Sequence, residues 1–137
     1  MTDKQFKLSI VTPDKVFFEQ NAEMIIITTT EGEMGILKSH EPVTAVLKIK
    51  AIDIISNGER KSAFVAGGFV EVKPDKVRII TDSAEWPEEI DVERATKARE
   101  RATKRLGSDK HYNSERVQFA LERAEARLAL LEKIKSN

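Results

Sequence analysis

Glu88-Glu89-Ile90-Asp91-Val92-Glu93-Arg94-Ala95 is the stretch at which this chain changes character. Upstream of it, apolar and polar residues alternate between Gly and Pro breaks, the period of half-buried strands. Downstream, apolar residues recur every three or four positions, the period of helices packed along one face. Asp91 reads as a helix N-cap, a short side chain whose oxygen accepts from the unpaired N–H groups of the first turn. Arg94 follows three residues later and shares that face of the turn. The stretch is a helix start, and it raises the question of whether it is a ligand site as well.

The upstream part is read as follows. Phe6, Leu8 and Ile10 alternate with Lys7 and Ser9, a half-buried strand. Thr12-Pro13-Asp14-Lys15 is a turn, residues 16–19 a short strand, 20–22 a turn, and 23–30 a β-branched strand. Glu31 to Leu37 holds Gly32 and Gly35, the mark of a tight turn or bulge, and 38–42 is a polar loop. Residues 43–47 and 49–55 are two further strands. Asn57-Gly58 is the strongest hairpin signal in the chain. Residues 61–65 and 69–72 are strands separated by Gly67-Gly68, and Pro74-Asp75 turns the chain into a last strand at 77–80. Short strands this closely spaced, with no helix-length pattern between them, predict an antiparallel sandwich or barrel and not a βαβ fold.

Trp86-Pro87 marks the boundary, because Pro87 biases Trp86 away from the α region. The expected organisation is a β-sandwich domain over 1–86 and a helical hairpin over 87–137. The first helix runs from Asp91 to about Leu106 with a narrow apolar face of Val92, Ala95, Ala98, Ala102 and Leu106. Gly107 is the expected C-cap and Asn113 or Ser114 the next N-cap. The second helix, to about Lys135, carries Val117, Ala120, Leu121, Ala124, Leu128, Leu131 and Ile134. The facing stripes are rich in Ala, so the seam removes little area from water. At about 25 cal/mol per Å² it yields only a few kcal/mol. The hairpin is therefore expected to be conditionally stable, able to leave the sandwich or open. Trp86 is expected to tie sandwich and helices together.

Composition narrows the function. The chain has 137 residues, 23 basic and 23 acidic, so formal charge is zero. Binding nucleic acid through phosphates ordinarily needs a basic excess, so that class is disfavoured. With no cysteine, disulfides, thiolate metal sites and cysteine nucleophiles are excluded. No run of about 18 apolar residues exists and no signal sequence is expected at the start, so any membrane association is expected to come through a partner. His40 and His111, the two histidines, fall in separate loops, so no two-His metal site is expected. No catalytic arrangement of side chains can be argued.

Two clusters carry chemistry. The first helix has Arg94, Lys97, Arg99, Arg101, Lys104 and Arg105 in twelve residues. The plain reading is a solvated face; the functional one is an acidic partner. On the second helix Arg123 and Arg127 lie at i, i+4, and an antiparallel hairpin brings them to the end that holds Asp91 and Arg94. Converging guanidinium groups suit phosphate oxygens, while Asp91 and the upstream Glu85 can accept from a ligand amine or hydroxyl. There is no phosphate-binding glycine loop, and no magnesium ligand set or water-activating base, so hydrolysis is not expected.

Order and spacing of several motifs give the whole chain a resemblance to the epsilon subunit of the bacterial rotary ATP synthase. These are Leu8-Ser9-Ile10-Val11-Thr12-Pro13-Asp14, Glu31-Gly32-Glu33-Met34-Gly35-Ile36-Leu37 with His40 and Pro42, Gly67-Gly68-Phe69-Val70-Glu71-Val72, and Ile90-Asp91-Val92-Glu93-Arg94-Ala95. The resemblance implies a sandwich of about ten short strands followed by the hairpin. It implies a non-catalytic rotor subunit, bound to the gamma subunit and the membrane rotor ring, that couples proton transport to ATP synthesis. A loop with Glu33, Gly35 and His40 would face the ring. Docked helices would permit turnover; extended helices would inhibit ATP hydrolysis, with Arg99, Arg101, Lys104 and Arg105 meeting an acidic segment of the beta subunit. The motif Ile90, Asp91, Arg94, Ala95, with Glu85, Arg101, Arg123 and Arg127, would bind ATP as a regulatory ligand, magnesium not being required, and hold the hairpin down. The implied location is the cytoplasmic face of the cell membrane, peripheral through the complex. A free-standing nucleotide sensor using the same arginine cluster is the alternative.

Overall fold

The computed structural model describes residues 4–108 and 113–136, so His111 lies outside the described residues. Eight strands come first: β1 (Phe6–Val11), β2 (Val16–Ala22), β3 (Met24–Thr29), β4 (Gly32–Leu37), β5 (Val43–Ser56), β6 (Glu59–Lys73), β7 (Lys76–Ile80) and β8 (Ala84–Glu85). A 3-10 turn at Pro87–Glu89 follows, then α1 (Val92–Leu106) and α2 (Ser114–Lys135). The strands form one hydrogen-bonded path, β2-β1-β7-β6-β5-β3-β4, with β8 also on β6. The path curls so that β2 returns against β5, and alternate residues such as Phe6, Leu8, Ile10, Ile25, Ile27 and Ile79 meet in one core. Pairing is antiparallel as expected, apart from the parallel β1–β7 pair. These two strands are distant in the chain, so no hairpin sets their relative direction.

The resemblance implies about ten short strands and the structure has eight: two breaks read from the sequence are not strand ends, while β4 and β8 are not among the strands read from it. β5 and β6 form a single long hairpin from Val43↔Val72 to Ser56↔Glu59. Its turn is Asn57-Gly58, with φ of +50° and +78°, the left-handed pair that a two-residue turn between twisted strands requires. Gly67 and Gly68 have φ of +77° and +105° and redirect β6 without ending it. Its first half pairs with β8 and its second with β7. A Cβ on Gly68 would collide with the Ile80 carbonyl oxygen. Residues 20–22, expected as a turn, continue β2. The expected bulge at 31–37 is instead strand β4, entered by the β3–β4 turn with Gly32 at φ +119°. Glu33 and Gly35, expected in a loop, therefore lie in β4, and only His40 lies beyond it. β4 ends the pairing path.

The helices form two layers on the sheet. α2 packs on β5 and β6, and α1 packs on α2. Ala95 and Ala102 of α1 and Val117 and Ala124 of α2 are buried, whereas Val92, Leu106 and Ile134, expected on the apolar stripes, are exposed. The sheet-facing residue Leu130 was not on the expected stripe, yet it is 1% exposed and forms a small second core with Phe64 and Ile90. α2 is covered on two sides, by α1 and by the sheet, so a single apolar stripe does not describe it. Trp86 packs against the sandwich core and lines one cavity with Ile134 of α2. It stacks on Phe17 at 4.6 Å and meets Phe18 edge-on at 6.0 Å, fastening the linker to β2. Gly107 closes α1 with φ −89°, so its left-handed freedom is unused.

Gly68→Ala is expected to destabilise the sandwich by roughly 3 kcal/mol, through a forbidden φ and the clash with the Ile80 carbonyl. Urea unfolding followed by far-UV circular dichroism measures it; an unchanged midpoint would refute the close-approach account.

Candidate functional site

Asp91 caps α1 as its sequence position predicts. Its Oδ1 accepts from the Arg94 N–H at 3.1 Å. Its Oδ2 makes no hydrogen bond among the described residues, so one oxygen holds the helix start and the other is available. The turn before it is held by Glu89, whose Oε1 accepts from the Trp86 N–H at 2.8 Å. Ile90 between them is buried, and its N–H donates to the Pro87 carbonyl at 3.1 Å. The linker is thus tied down at Trp86 and at Ile90, and this fixes where α1 begins.

The first two-thirds of α1, the middle of α2 and the end of β8 line a cavity of about 460 Å³. Glu85, Glu89 and Asp91 line it from the linker side. Arg94, Arg101, Arg123 and Arg127 line it from the helices, with Ala95, Ala98 and Ala120 between. Seven of the eight residues singled out from the sequence therefore share one concavity: Glu85, Asp91, Arg94, Ala95, Arg101, Arg123 and Arg127. Ile90 does not line it; its side chain is spent on the contact with Phe64 and Leu130. Glu89 is the lining carboxylate that sequence reasoning missed. Its position in the 3-10 turn carries no periodic signal.

The guanidinium groups are not equivalent. Arg127 donates from Nε to Glu85 Oε1 at 2.8 Å and from Nη2 to Oε2 at 3.4 Å. Its guanidinium carbon lies 4.5 Å from the centre of the Phe64 ring. The fork is therefore pinned between a carboxylate and an aromatic face, a geometry that lysine cannot copy. Arg94, Arg101 and Arg123 form no ion pair among the described residues. Their charges converge on the cavity without a direct ion pair; Glu89 and Asp91 also line it, and the positive excess is what an anionic ligand would neutralise.

A second cross-layer tie lies further along α2. Lys133 Nζ donates to both oxygens of Asp53, each at 3.0 Å, and Arg60 and Ser62 donate to the same buried carboxylate. Burial pushes the Asp53 carboxyl up, but the hydrogen bonds from Ser62, Arg60 and Lys133 and the Lys133 charge outweigh it, leaving it below its ordinary value.

The other basic residues of α1 are spread around the helix. Arg99 lines a groove with Val92, Leu128 and Leu131, on the opposite side from Arg101 and Arg105. At 100° per residue, Lys104 falls with Arg101 and Arg105 and not with Arg99. The candidate inhibitory residues thus do not form one face. On the sandwich, Val46, Phe69 and Ile80 are adjacent across β5, β6 and β7, and all three are exposed. Sequence reasoning did not single them out, because alternation alone does not say which face is covered.

The family follows from both halves of the chain. The beta-sandwich domain of the ATP synthase delta/epsilon chain matches residues 5–87, and the long alpha-helix domain of the same chain matches 88–132. The chain belongs to the ATP synthase epsilon chain family. It is 43% identical over 132 residues to the ATP synthase epsilon chain of Caldicellulosiruptor bescii, covering 96% of both chains. It is 44% identical over 133 residues to that of Caldanaerobacter subterraneus, again covering 96% of both. Among solved structures it is similar to a chain of the Euglena gracilis mitochondrial ATP synthase, at 31% identity and a TM-score of 0.83, covering 93% of this chain and 81% of that one. A chain of the Tetrahymena thermophila mitochondrial ATP synthase shares the fold, at 16% identity and a TM-score of 0.57. An epsilon chain is a non-catalytic subunit of the synthase.

Because the folded value of the Asp53 carboxyl is the lowered one, its stabilisation is complete above the ordinary value of 3.8 and is lost as pH falls through the folded value. Lys133→Ala is expected to lower stability at neutral pH by about 1 kcal/mol, discounted for the half-exposed lysine. It should also flatten the fall in the urea midpoint below about pH 4. Parallel pH profiles for the variant and the unaltered protein would rule out the tie.

Proposed function

We propose that this epsilon chain is a central-stalk subunit of a rotary ATP synthase. It couples proton transport to ATP synthesis, inhibits ATP hydrolysis when its hairpin is extended, and binds ATP when the hairpin is docked. The observation that carries the ligand reading is the cavity of about 460 Å³ with three carboxylates on one side and four guanidinium groups on the other. The carboxylates can accept from amino and hydroxyl donors of a nucleoside, and the arginines match phosphate oxygens. No step of this function cleaves the nucleotide, and binding by side chains alone gives magnesium no required role.

The location of the cavity makes the ligand a switch. Its walls come from β8, α1 and α2, so they exist together only while the hairpin is folded onto the sandwich. A ligand shifts an equilibrium only by its differential affinity for the two states, and here that difference is essentially the whole binding energy. At a ligand concentration of 100 times Kd, the docked state gains about 2.7 kcal/mol. That is comparable to the small apolar contact of Phe64, Ile90 and Leu130, so occupancy can decide the state.

The assembly surfaces are assigned on the sandwich. The exposed row Val46, Phe69, Ile80 suits an apolar partner face such as the gamma subunit, and the β4 edge with Glu33, Gly35 and His40 suits the rotor ring. The similarity to a chain from a complex described as containing F1 and the c-ring supports both assignments. Basic residues of the released α1, Arg101, Lys104 and Arg105 on one side and Arg99 on another, would meet the acidic segment of the beta subunit. No described helix is long and apolar enough to cross a membrane. Attachment to the cytoplasmic face of the cell membrane would then be peripheral, through the complex.

Asp91→Ala and Arg94→Ala are each expected to weaken ATP binding at least roughly tenfold, the equivalent of one lost charge-assisted contact. Titration calorimetry without magnesium reads this, and wild-type affinity in both variants would exclude the site. Removing the chain after Glu88 is expected to preserve co-purification with the gamma subunit and to raise ATP hydrolysis by the assembled complex. Hydrolysis that stays latent would remove the inhibitory role. A full-length chain that never associates with the stalk would instead favour the free-standing sensor.

A further inference from the structure

The nucleotide cavity is not closed at its arginine end. It continues along the groove between α1 and α2 into a second cavity of about 360 Å³. The two share Ala98, Arg101, Ala120 and Arg123, and the second adds Arg105 and Arg116 to the lining. Alanines on both helices leave the groove floor low, so the arginine stems stand above it as walls. Arg101, Arg116 and Arg123 form no ion pair among the described residues. Among the described residues, carboxylates border the first cavity on the linker side and none lines the second. Among the described residues, charge thus changes in one direction along the groove, from acidic through mixed to basic.

A hairpin stabilised only by its own seam gains nothing from like charges facing each other across it; such pairs cost a few tenths of a kcal/mol each. We infer that the second cavity is a phosphate-chain subsite, continuous with the first, that receives phosphates beyond the third of a nucleotide held in the first cavity. Its ligand class is an extended phosphate chain, carried by a nucleoside tetraphosphate or longer, or by free inorganic polyphosphate. The dimensions are suitable. From Ala98 to Arg105 the helix rises about 10 Å, the length of several further phosphates. Guanidinium forks on both walls offer paired donors to successive phosphates. The inference rests on the nucleotide reading of the first cavity for its register, but the anion chemistry of the second stands by itself.

The experiment is titration calorimetry of the full-length chain, without magnesium, using ADP, ATP, adenosine 5′-tetraphosphate and tripolyphosphate, on wild type and on Arg116→Gln. Arg116 is exposed, so the variant is expected to fold normally, as circular dichroism would verify. The tetraphosphate is expected to bind roughly fivefold tighter than ATP. Arg116→Gln should abolish that gain and leave ADP affinity unchanged. A tetraphosphate no tighter than ATP, or an Arg116→Gln loss equal for ADP and the tetraphosphate, would overturn the subsite while leaving the ATP reading intact. Tripolyphosphate binding that is weakened by Arg116→Gln, in a chain that ignores ATP, would support the subsite and overturn the nucleotide reading. Binding of none of the four would overturn both.

Discussion

The structure depends on one small apolar contact: Phe64 of the sheet against Ile90 of the linker and Leu130 of α2. Ile49, Ala51, Ala66, Ala126 and Leu131 pack around it, and the Asp53–Lys133 tie lies further along α2. Ile90 fixes the start of α1, so that Asp91 caps the helix at the rim of the cavity. Phe64 also supplies the ring under the Arg127 guanidinium, and Leu130 sets the height of α2 over β5 and β6. A contact of three large side chains contributes a few kcal/mol, large enough to dock a hairpin and small enough to be outweighed by binding elsewhere.

The polar ties around it have a different character. Glu85–Arg127 and Asp53–Lys133 both join α2 to the sandwich, and both would be broken when the hairpin leaves. Neither adds much net energy, because each ion loses water to form the pair. They specify register instead: they are satisfied at only one position of α2 on the sheet. After undocking, Asp53 keeps Arg60 and Ser62. Glu85 keeps no such partner among the described residues. A bound phosphate chain would compete with Glu85 for Arg127, so the ligand and the docking tie meet at the same guanidinium.

Much of this was legible in the sequence. Alternation predicted most of the strands, Asn57-Gly58 a hairpin turn, and caps at Asp91 and at Asn113 or Ser114 the two helix starts. The arginine convergence followed from antiparallel geometry, and the acidic side at Asp91 and Glu85 from their place just upstream of it. What misled was local punctuation. Gly67-Gly68 reads as an end, yet it is a turn within β6 made necessary by the Ile80 carbonyl. Gly35 reads as a loop residue, yet it sits in β4 against the Met24 side chain. The double burial of α2 was missed because periodicity reports how much of a helix is covered, not by what.

By itself, then, the sequence determined most of the strands and both helices, where the helices begin, and which charged residues could assemble, since period and capping are properties of neighbours in the chain. Only the tertiary structure decided how those pieces face one another. It put Ile90 in the core while its neighbours Glu89 and Asp91 line the cavity. It engaged Arg127 with Glu85, and it split the basic residues of α1 between two grooves. It joined the first cavity to a second along the helix seam. These are consequences of close packing between elements distant in the chain. Such packing is set by shape and by the fit of one surface against another, which no local pattern encodes.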